Sequence, residues 1–310
     1  MVWSFSDARL FRKCQRQWYY KNYVANARAK DPIRREAYYL SKLQSIFAWR
    51  GSIVDDVISF DIIPDLNQRK PLRRQLIVQQ ARQLFLDQLE FAKYKRIREP
   101  GMTQKAAGRA FAALYPFDYG EEITEENLSQ AWADIESALS NFLDMEDIIV
   151  PLREANYLVA QRSLMFSFDS QSIRAVPDLI CFFPNKPPLI VDWKVHSYAM
   201  QNYRLQLACY ATALIHCEPH RDFPASLSRW KPTDIRLLEA QLLTGVPRYY
   251  TLTDGDIEGV LSYITRTARE MDLAVDADPS EALSFGDFSV ALDSDECQRC
   301  SFRSLCWETK

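Results

Sequence analysis

The chain has 310 residues, of which 47% are hydrophobic and 25% are charged, and its formal net charge is −3. These values are ordinary for a soluble globular protein, and 8 glycines and 15 prolines are too few for a collagen-like or linker-rich architecture. The sequence has no run of eighteen apolar residues, and its amino terminus has no apolar signal-peptide core. We therefore expect a cytoplasmic protein with no membrane partner.

The charge is unevenly distributed along the chain. Residues 1–110 carry a net charge of +12, whereas residues 111–310 carry −15. Such asymmetry favours a basic face that contacts nucleic acid beside an acidic remainder. The alternative, ordinary solvated helix faces rich in Lys and Arg, stays open.

The first half of the chain is predicted to be mainly helical. Ser4 or Ser6 is a suitable cap for an opening helix. A second helix is predicted from Pro32 through Ile58, because proline is favourable at a first helical position. Amphipathic patterns predict further helices over Leu72–Leu89 and Thr124–Met145.

Basic residues interleave with aromatic residues between the predicted helices. The candidates for nucleic-acid contact are Arg73, Arg74, Lys95 and Arg96, with Tyr94 beside the second pair. Aromatic rings stack on bases while cations pair with phosphates, which suits a single strand. A surface helix with a buried aromatic residue explains the same pattern and is the alternative.

Strand-like periodicity begins after residue 154. Asn156–Phe168 predicts one or two strands, and Val176–Phe183 and Leu189–Val195 predict two more, separated by a proline-rich turn. This pairing brings Asp178 and Asp192 to one end of a sheet. A helix carrying Gln206 and Tyr210 follows.

These residues predict a site for a hard divalent ion. Two converging carboxylates form an oxygen-rich pocket, and Lys194 adds a charge that can hold a phosphate or help a bound water lose its proton. Gln206 and Tyr210 are four residues apart, so they share a helix face. The structural alternative is that Asp192 and Lys194 form an ion pair while Gln206 and Tyr210 only pack.

The last part of the chain is predicted to contain an antiparallel pair, a helix and a cysteine cluster. The pair covers Asp234–Leu243 and Arg248–Leu252, and the helix covers Asp254–Val275. Three of the seven cysteines are closely spaced, and a fourth near the amino terminus is the natural partner: Cys14, Cys297, Cys300 and Cys306. Four thiolates suit either zinc or an iron–sulfur cluster, and spacing alone does not decide.

The ordered set Asp178, Asp192-x-Lys194 and Gln206-x-x-x-Tyr210 resembles the signature of PD-(D/E)xK nucleases in their RecB-like form. The resemblance implies an α/β fold with a restriction-endonuclease-like core, in which helices flank a central mixed sheet. It also implies a helical insertion and a cysteine-cluster terminus. The predicted parts are N-terminal helices over 1–60, the insertion over 61–150, the nuclease core over 151–275 and the cysteine segment over 276–310.

The opening stretch resembles RecB-like nucleases that carry an iron–sulfur cluster. The match rests on Ser4, Ser6, Phe11, Cys14 and Trp18, with C-x₂-C-x₅-C near the other end. This arrangement is similar to AddB-type and CRISPR-associated nucleases, and implies a structural [4Fe–4S] cluster bound by the four cysteines.

One position departs from the family pattern. Relatives commonly have a metal-binding histidine four residues after the glycine that corresponds to Gly51, and this chain has Asp55. Because hard ions prefer oxygen, we expect Mg²⁺ or Mn²⁺ bound by Asp55, Asp178 and Asp192, with the backbone carbonyl of Trp193 as a further ligand. The alternative is that Asp55 and Asp56 are solvated helix residues. Relatives often carry a glutamate on the strand before Asp178, and the nearest candidates here are Glu154 and Gln161, of which Gln161 offers only a neutral amide oxygen.

The resemblance implies a metal-dependent deoxyribonuclease that acts on single-stranded DNA or DNA ends, in DNA repair, CRISPR adaptation or other antiviral defence. The sequence has no phosphate-binding loop of a helicase, so a helicase or defence protein would be a separate partner. The alternatives are a catalytically inactive nucleic-acid-binding subunit with the cluster and, more remotely, a zinc-stabilised structural or interaction protein. Exonuclease or endonuclease mode and preference for DNA or RNA stay open.

Overall fold

A computed structural model of the chain describes residues 2–196, 203–218, 220–275 and 285–308. The chain divides into two compact units. The sheet unit comprises Met1–Trp3, Arg50–Phe85 and Glu125–Thr265, and the helical unit comprises Ser4–Trp49, Leu86–Thr124 and Arg266–Lys310. Within the described ranges, no helix is both long enough and apolar enough to span a bilayer. The four-part division predicted from the sequence remains a prediction.

Helices and strands together account for most of the described residues. The α-helices are α1 (Phe5–Lys13), α2 (Gln15–Tyr19), α3 (Pro32–Leu40), α4 (Ile46–Val57), α5 (Ile63–Asn67), α6 (Arg74–Lys93), α7 (Gln104–Ala107), α8 (Tyr115–Asp118), α9 (Glu125–Asp144), α10 (Glu146–Glu154), α11 (Arg204–His216), α12 (Asp254–Val275), α13 (Ser294–Gln298) and α14 (Arg303–Glu308). The strands are β1 (Val2–Ser4), β2 (Tyr157–Ala160), β3 (Leu164–Phe168), β4 (Gln171–Ala175), β5 (Leu179–Phe182), β6 (Leu189–Lys194), β7 (Arg236–Gln241) and β8 (Val246–Tyr250).

A five-stranded sheet forms the centre of the sheet unit, in the order β2-β5-β6-β7-β8. Only β6 and β7 are parallel, so the sheet is mixed. All four residues of β5 and the first five of β6 are buried, as expected for apolar strands covered on both faces. The parallel register places Asp192 beside Glu239 and Lys194 beside Gln241.

A smaller sheet, β1-β4-β3, completes the strands of this unit. Its hairpin turns at Asp169 and Ser170, which both have positive φ (49° and 61°), the conformation that a two-residue turn between twisted strands requires. Helix α11 packs against β3, β4 and β6. The mixed α/β class predicted from the sequence is confirmed, with helices packed on the two sheets.

Most predicted elements are confirmed, but the single helix predicted from Pro32 through Ile58 is wrong. The chain breaks into α3 and α4 because the backbone of Gln44 bonds elsewhere, donating to Ala113 O (2.8 Å) and accepting from Tyr115 N (3.0 Å). Ser45 then restarts the helix, since its hydroxyl accepts from Ala48 N at 3.1 Å. Helix α4 continues without a break through a π-helical turn, Ile58–Ile62, into α5.

Aromatic packing and one arginine hold the helical unit together. Trp18 is fully buried against Phe11, with ring centroids 4.9 Å apart. Tyr20 stacks on Phe302 at 5.6 Å. Arg98 donates to the carboxylates of both Glu36 and Asp118, at 2.7–2.9 Å. As predicted, Ser4 caps α1 by accepting from Asp7 N at 3.2 Å.

Candidate active site

An open cleft of about 310 Å³ lies in the sheet unit. Helix α4, the β2–β3 connection, the residue before β5, strand β6 and helix α11 contribute its walls. Its lining residues are Gly51, Ser52, Asp55, Gln161, Asp178, Asp192, Trp193, Lys194, Val195, Gln206 and Tyr210. The fold therefore brings together the predicted carboxylates, the lysine and the Gln-x-x-x-Tyr pair.

Asp178 stands at the start of β5, beside β6. Its Oδ2 accepts from the backbone N–H of Trp193 at 2.9 Å, and its Oδ1 accepts from the Gln161 amide at 3.3 Å. Burial, followed by the nearby Asp192 carboxylate, raises the pKa of Asp178 well above its usual range. This acid is therefore held by the same strand that carries Asp192.

Asp192 and Lys194 lie on the same face of β6. The Asp192 side chain is 1% exposed and forms an ion pair with the ammonium of Lys194. Burial raises the pKa of Asp192, and Lys194 opposes that shift. For Lys194, burial lowers the pKa but the carboxylates of Asp192 and Asp178 outweigh it, so the net pKa is raised. Lys194 is therefore an ammonium ion next to two acids, with its Nζ 4.7 Å from the ring centre of Tyr203.

Asp55 projects into the cleft from α4. Its Oδ1 accepts from the Gln161 amide at 2.6 Å and from the Trp193 indole N–H at 3.1 Å. Burial raises the pKa of Asp55 to about 6, while these donors oppose the shift. Trp193, predicted as a ligand through its carbonyl, thus has a second role through its indole, which the sequence analysis did not include.

Gln206 and Tyr210 lie one turn apart on α11 and bond to each other, Nε2 to Oη at 2.6 Å. Burial, and then the carboxylates of Asp192 and Asp178, raise the pKa of Tyr210 well above its usual range. The Tyr210 hydroxyl therefore keeps its proton and faces the acids as a neutral polar group.

Two supporting residues were missed by sequence reasoning. Arg50 is 6% exposed, forms an ion pair with Asp134 and donates to Val195 O at 3.2 Å, which fixes the backbone just after Lys194. Glu239 is fully buried on β7 beside Asp192, and the Tyr250 hydroxyl donates to it at 2.6 Å. The position of Arg50, directly before Gly51, could have indicated a supporting role from sequence. Glu239 could not be found in this way, because its place beside Asp192 depends on the register of two distant strands.

The donor set of the cleft fits a divalent cation. Among the described residues, no three His, Cys, Asp or Glu side chains converge closely enough to hold an ion as they stand. Mg²⁺, however, needs only one or two carboxylates and completes its shell with water and phosphate oxygens. Both carboxyl oxygens of Asp192 are buried, and the carboxyl of Asp178 is its neighbour. Two neighbouring carboxyl groups of this kind repel each other when both are ionised, so a proton or a cation stabilises the pair.

The four predicted cysteines line one cavity of the helical unit. Cys14 and Cys300 accept backbone N–H contacts at 3.4 Å, and Cys306 accepts from Arg16 Nη1 at 3.7 Å. Burial raises the pKa of Cys300 to about 12, and the other thiols add to it. All seven cysteines of the chain are free, so no disulfide ties this cluster.

The four predicted nucleic-acid contacts are divided between the two units. Arg73 and Arg74 belong to the sheet unit, and Lys95 and Arg96 belong to the helical unit. Arg74 forms an ion pair with Asp144, and Arg96 forms one with Glu90 at 2.8 Å. Lys95 donates to a backbone carbonyl, Asp118 O, at 3.3 Å. Their role in binding remains a prediction.

Two solved structures illustrate the likeness to known proteins. The crystal structure of SSO0001 has a TM-score of 0.29 and 13% identity, covering 63% of this chain and 80% of that one. A candidate exonuclease of Eubacterium rectale has a TM-score of 0.29 and 12% identity, covering 84% and 97%. Likeness at this level establishes neither fold nor activity. No curated protein matches the chain significantly.

The family comparison is decisive. The model of the PD-(D/E)XK nuclease superfamily matches residues 2–307, nearly the whole chain, and so spans both the cleft and the cysteine cavity. Asp178, Asp192 and Lys194, the residues predicted to form the motif, line one cleft. The chain belongs to the PD-(D/E)XK nuclease superfamily.

Proposed function

We propose that the protein is a metal-dependent, RecB-like deoxyribonuclease that hydrolyses single-stranded DNA or DNA ends. The observation that carries the proposal is the meeting of Asp178, Asp192 and Lys194 in one open cleft of a chain from a nuclease superfamily. Gln206 and Tyr210 in the same cleft support the RecB-like subtype.

Mg²⁺ or Mn²⁺ would be held by Asp178 and Asp192, with Asp55 and the backbone carbonyl of Trp193 as further ligands. When bound, such an ion lowers the pKa of water and neutralises charge that develops on the scissile phosphate. The carboxylates supply the anionic oxygens that hard cations prefer.

The chain's own polar groups position the phosphate and the attacking water. The Lys194 ammonium, held beside Asp192, stabilises negative charge on the phosphate oxygens. The Tyr210 hydroxyl and the Gln206 amide provide hydrogen bonds for water or phosphate from α11. Because strand β6 and helix α11 are both packed in the core, these groups are preorganised rather than recruited.

We also propose a structural [4Fe–4S] cluster bound by Cys14, Cys297, Cys300 and Cys306. The support is that all four thiols line one cavity and that thiolates are the ligands such clusters use. The cluster would link α1 and α2 to the segment of α13 and α14. Zinc on the same thiolates is the alternative, and colour separates the two: an iron–sulfur protein is brown and absorbs near ~400 nm, whereas zinc is colourless.

A nuclease of this kind would act in the cytoplasm, in DNA repair or antiviral defence, with a helicase or CRISPR-associated protein as the class of partner. The competing function is a catalytically inactive DNA-binding subunit. The observation that favours it is Asp55, which stands where relatives commonly have a histidine and is already bonded by Gln161 and Trp193.

The test is cleavage of end-labelled single-stranded and double-stranded DNA with Mg²⁺ or Mn²⁺, using protein purified without oxygen. Wild type is compared with Lys194→Ala, and Lys186→Ala, an exposed lysine paired with Glu154, serves as the control. We expect wild type and the control to cut and Lys194→Ala to lose at least ~100-fold. DNA binding without cleavage by the wild type would favour the inactive subunit.

A further inference from the structure

Gln161 has a backbone conformation that is unusual for its residue type. It lies in the connection between β2 and β3, and its φ is +50°, in the left-handed region that L side chains adopt at a cost. Its backbone N–H donates to Asp178 O at 3.0 Å, which holds the connection against the start of β5. The strained conformation aims its side chain into the cleft.

The Gln161 amide bridges two carboxylates. Nε2 donates to Asp55 Oδ1 at 2.6 Å and to Asp178 Oδ1 at 3.3 Å, which uses both of its N–H groups. The opposite orientation would direct the amide oxygen at Asp55 Oδ1, an acceptor for the Trp193 indole N–H, so the bridging orientation is favoured.

Trp193 bridges the same two acids by a different route. Its indole N–H donates to Asp55 Oδ1 at 3.1 Å, and its backbone N–H donates to Asp178 Oδ2 at 2.9 Å. Asp55 comes from a helix and Asp178 lies just before a strand, and two neutral residues thus hold these two acids together. When both acids are ionised, repulsion between them opposes this arrangement.

We propose that Gln161 is a positioning residue that holds Asp55 and Asp178 together before a metal ion arrives. It does so as a hydrogen-bond donor, not as a metal ligand. The proposal deepens the proposed nuclease function and rests on it only for the identity of the cation. In physical terms, the donor groups of a neutral amide offset the repulsion between the two acids when both are ionised, and a bound divalent cation can do the same.

The alternative role for Gln161 is purely structural, as the residue that turns the chain between β2 and β3. The two roles make different predictions. A turn residue has the same effect on stability whether or not a cation is present, and whether or not Asp55 is charged. A residue that offsets charge matters most when both acids are ionised and no cation is bound.

The experiment measures melting temperatures of wild type, Gln161→Met, Asp55→Asn and the double variant, in EDTA and in saturating Mg²⁺. Methionine is unbranched like glutamine, so Gln161→Met keeps the backbone strain while removing both N–H donors of the amide. In EDTA we expect Gln161→Met to melt about 3 °C below wild type. In the Asp55→Asn background, or in Mg²⁺, we expect that deficit to shrink to about 1 °C or less.

An equal deficit in both backgrounds would overturn the proposal and leave Gln161 a turn residue. If Gln161→Met does not fold, Gln161→Asn provides the same comparison, because asparagine tolerates positive φ but its amide is one methylene too short to reach both acids. The effect of Gln161→Met can be compared between the wild-type and Asp55→Asn backgrounds without metal binding or cleavage. A protein that never cuts DNA would therefore refute the proposed function while the role of Gln161 is still decided.

Discussion

The acidic cleft and the cysteine cavity are both clusters of potential ligands, but they are held in different ways. In the cleft, Asp55 and Asp178 each accept two donors at 2.6–3.3 Å, and Asp192 pairs with a lysine. In the cavity, the described contacts to sulfur are at 3.4–3.7 Å, and sulfur is a weak acceptor. The protein therefore fixes the carboxylates through short hydrogen bonds and an ion pair, whereas the described contacts to the thiols are longer and weaker.

This difference follows from where each cluster lies. Two of the three acids of the cleft are fixed by a buried sheet: Asp192 pairs in register with Glu239 on β7, and Asp178 accepts from the backbone of β6. The cavity is lined by short helices of five to nine residues from two distant parts of the sequence. A site of this second kind obtains much of its order from what it binds, since ligand binding contributes to folding free energy.

The largest effect is expected from removing a thiol. Cys300→Ala should lose the proposed cluster and lower the melting temperature of the whole protein, because the short helices around the cavity would lose the ligand proposed to link them. Iron content and absorbance near ~400 nm, measured on protein purified without oxygen, check this. Cys209→Ala is the matched control, since Cys209 is buried in α11 of the sheet unit. Equal iron in both variants would remove Cys300 from the ligand set.

A large loss of activity is expected from a change in the cleft. Asp192→Asn should reduce cleavage by about 10³-fold or more, because a neutral amide replaces an anionic oxygen. It should also lower the melting temperature, because the largely buried Lys194 ammonium loses its ion-pair partner. Asp169→Asn, in the exposed turn between β3 and β4, is the control for both measurements. Undiminished cleavage by Asp192→Asn would mean that the active site lies elsewhere.

The contribution of Glu239, on the neighbouring strand β7, to the stability of the protein should also be measurable. Glu239→Ala should cost about 1–3 kcal/mol of unfolding free energy, because Arg248 and Tyr250 would lose a buried acceptor. Glu239→Gln should cost less, since its amide oxygen can still accept. Urea denaturation of both variants checks the order. A loss under about 1 kcal/mol for Glu239→Ala would show that this buried network stabilises the fold very little.

The smallest effects are expected at the exposed basic residues. Replacing Arg73 and Arg74 by glutamine should weaken DNA binding and reduce the salt slope by about one for each phosphate that is no longer neutralised. The pair Lys95 and Arg96, in the helical unit, provides the comparison with equal charge removed. Affinities over a range of salt concentrations check this. Unchanged slopes for both pairs would exclude these residues from the DNA-binding surface.

How much of the site is predictable from sequence depends on the range of the interactions. Asp178, Asp192 and Lys194 lie on two strands joined by a short turn, and Gln206 and Tyr210 are one helical turn apart, so local patterns suffice. Gln161 was noted from the sequence only as a neutral residue, and its contacts with Asp55 and Asp178 could not be predicted because they depend on a left-handed backbone that its residue type does not indicate.

Features that depend on residues far apart in the chain could not be predicted from the sequence for a related reason. Glu239 reaches Asp192 only through a parallel pairing that no local pattern specifies. The break between α3 and α4 depends on Gln44 pairing with residues far along the chain, Ala113 and Tyr115. The hairpin strand β4 was missed because its turn, Asp169-Ser170, lacks the glycine that usually marks such a turn.

The connections of β6 also bear on the order in which the protein folds. Strands β5 and β6 are joined by residues 183–188, so the hairpin that carries Asp178 and Asp192 forms locally and early. The parallel partner β7 begins only at Arg236, after a long crossover that includes α11. Pairings across such a distance are slow. We therefore expect the acids to meet before Tyr210 and Glu239 arrive, so that a nascent chain passes through a stage in which it carries the motif but not a working enzyme.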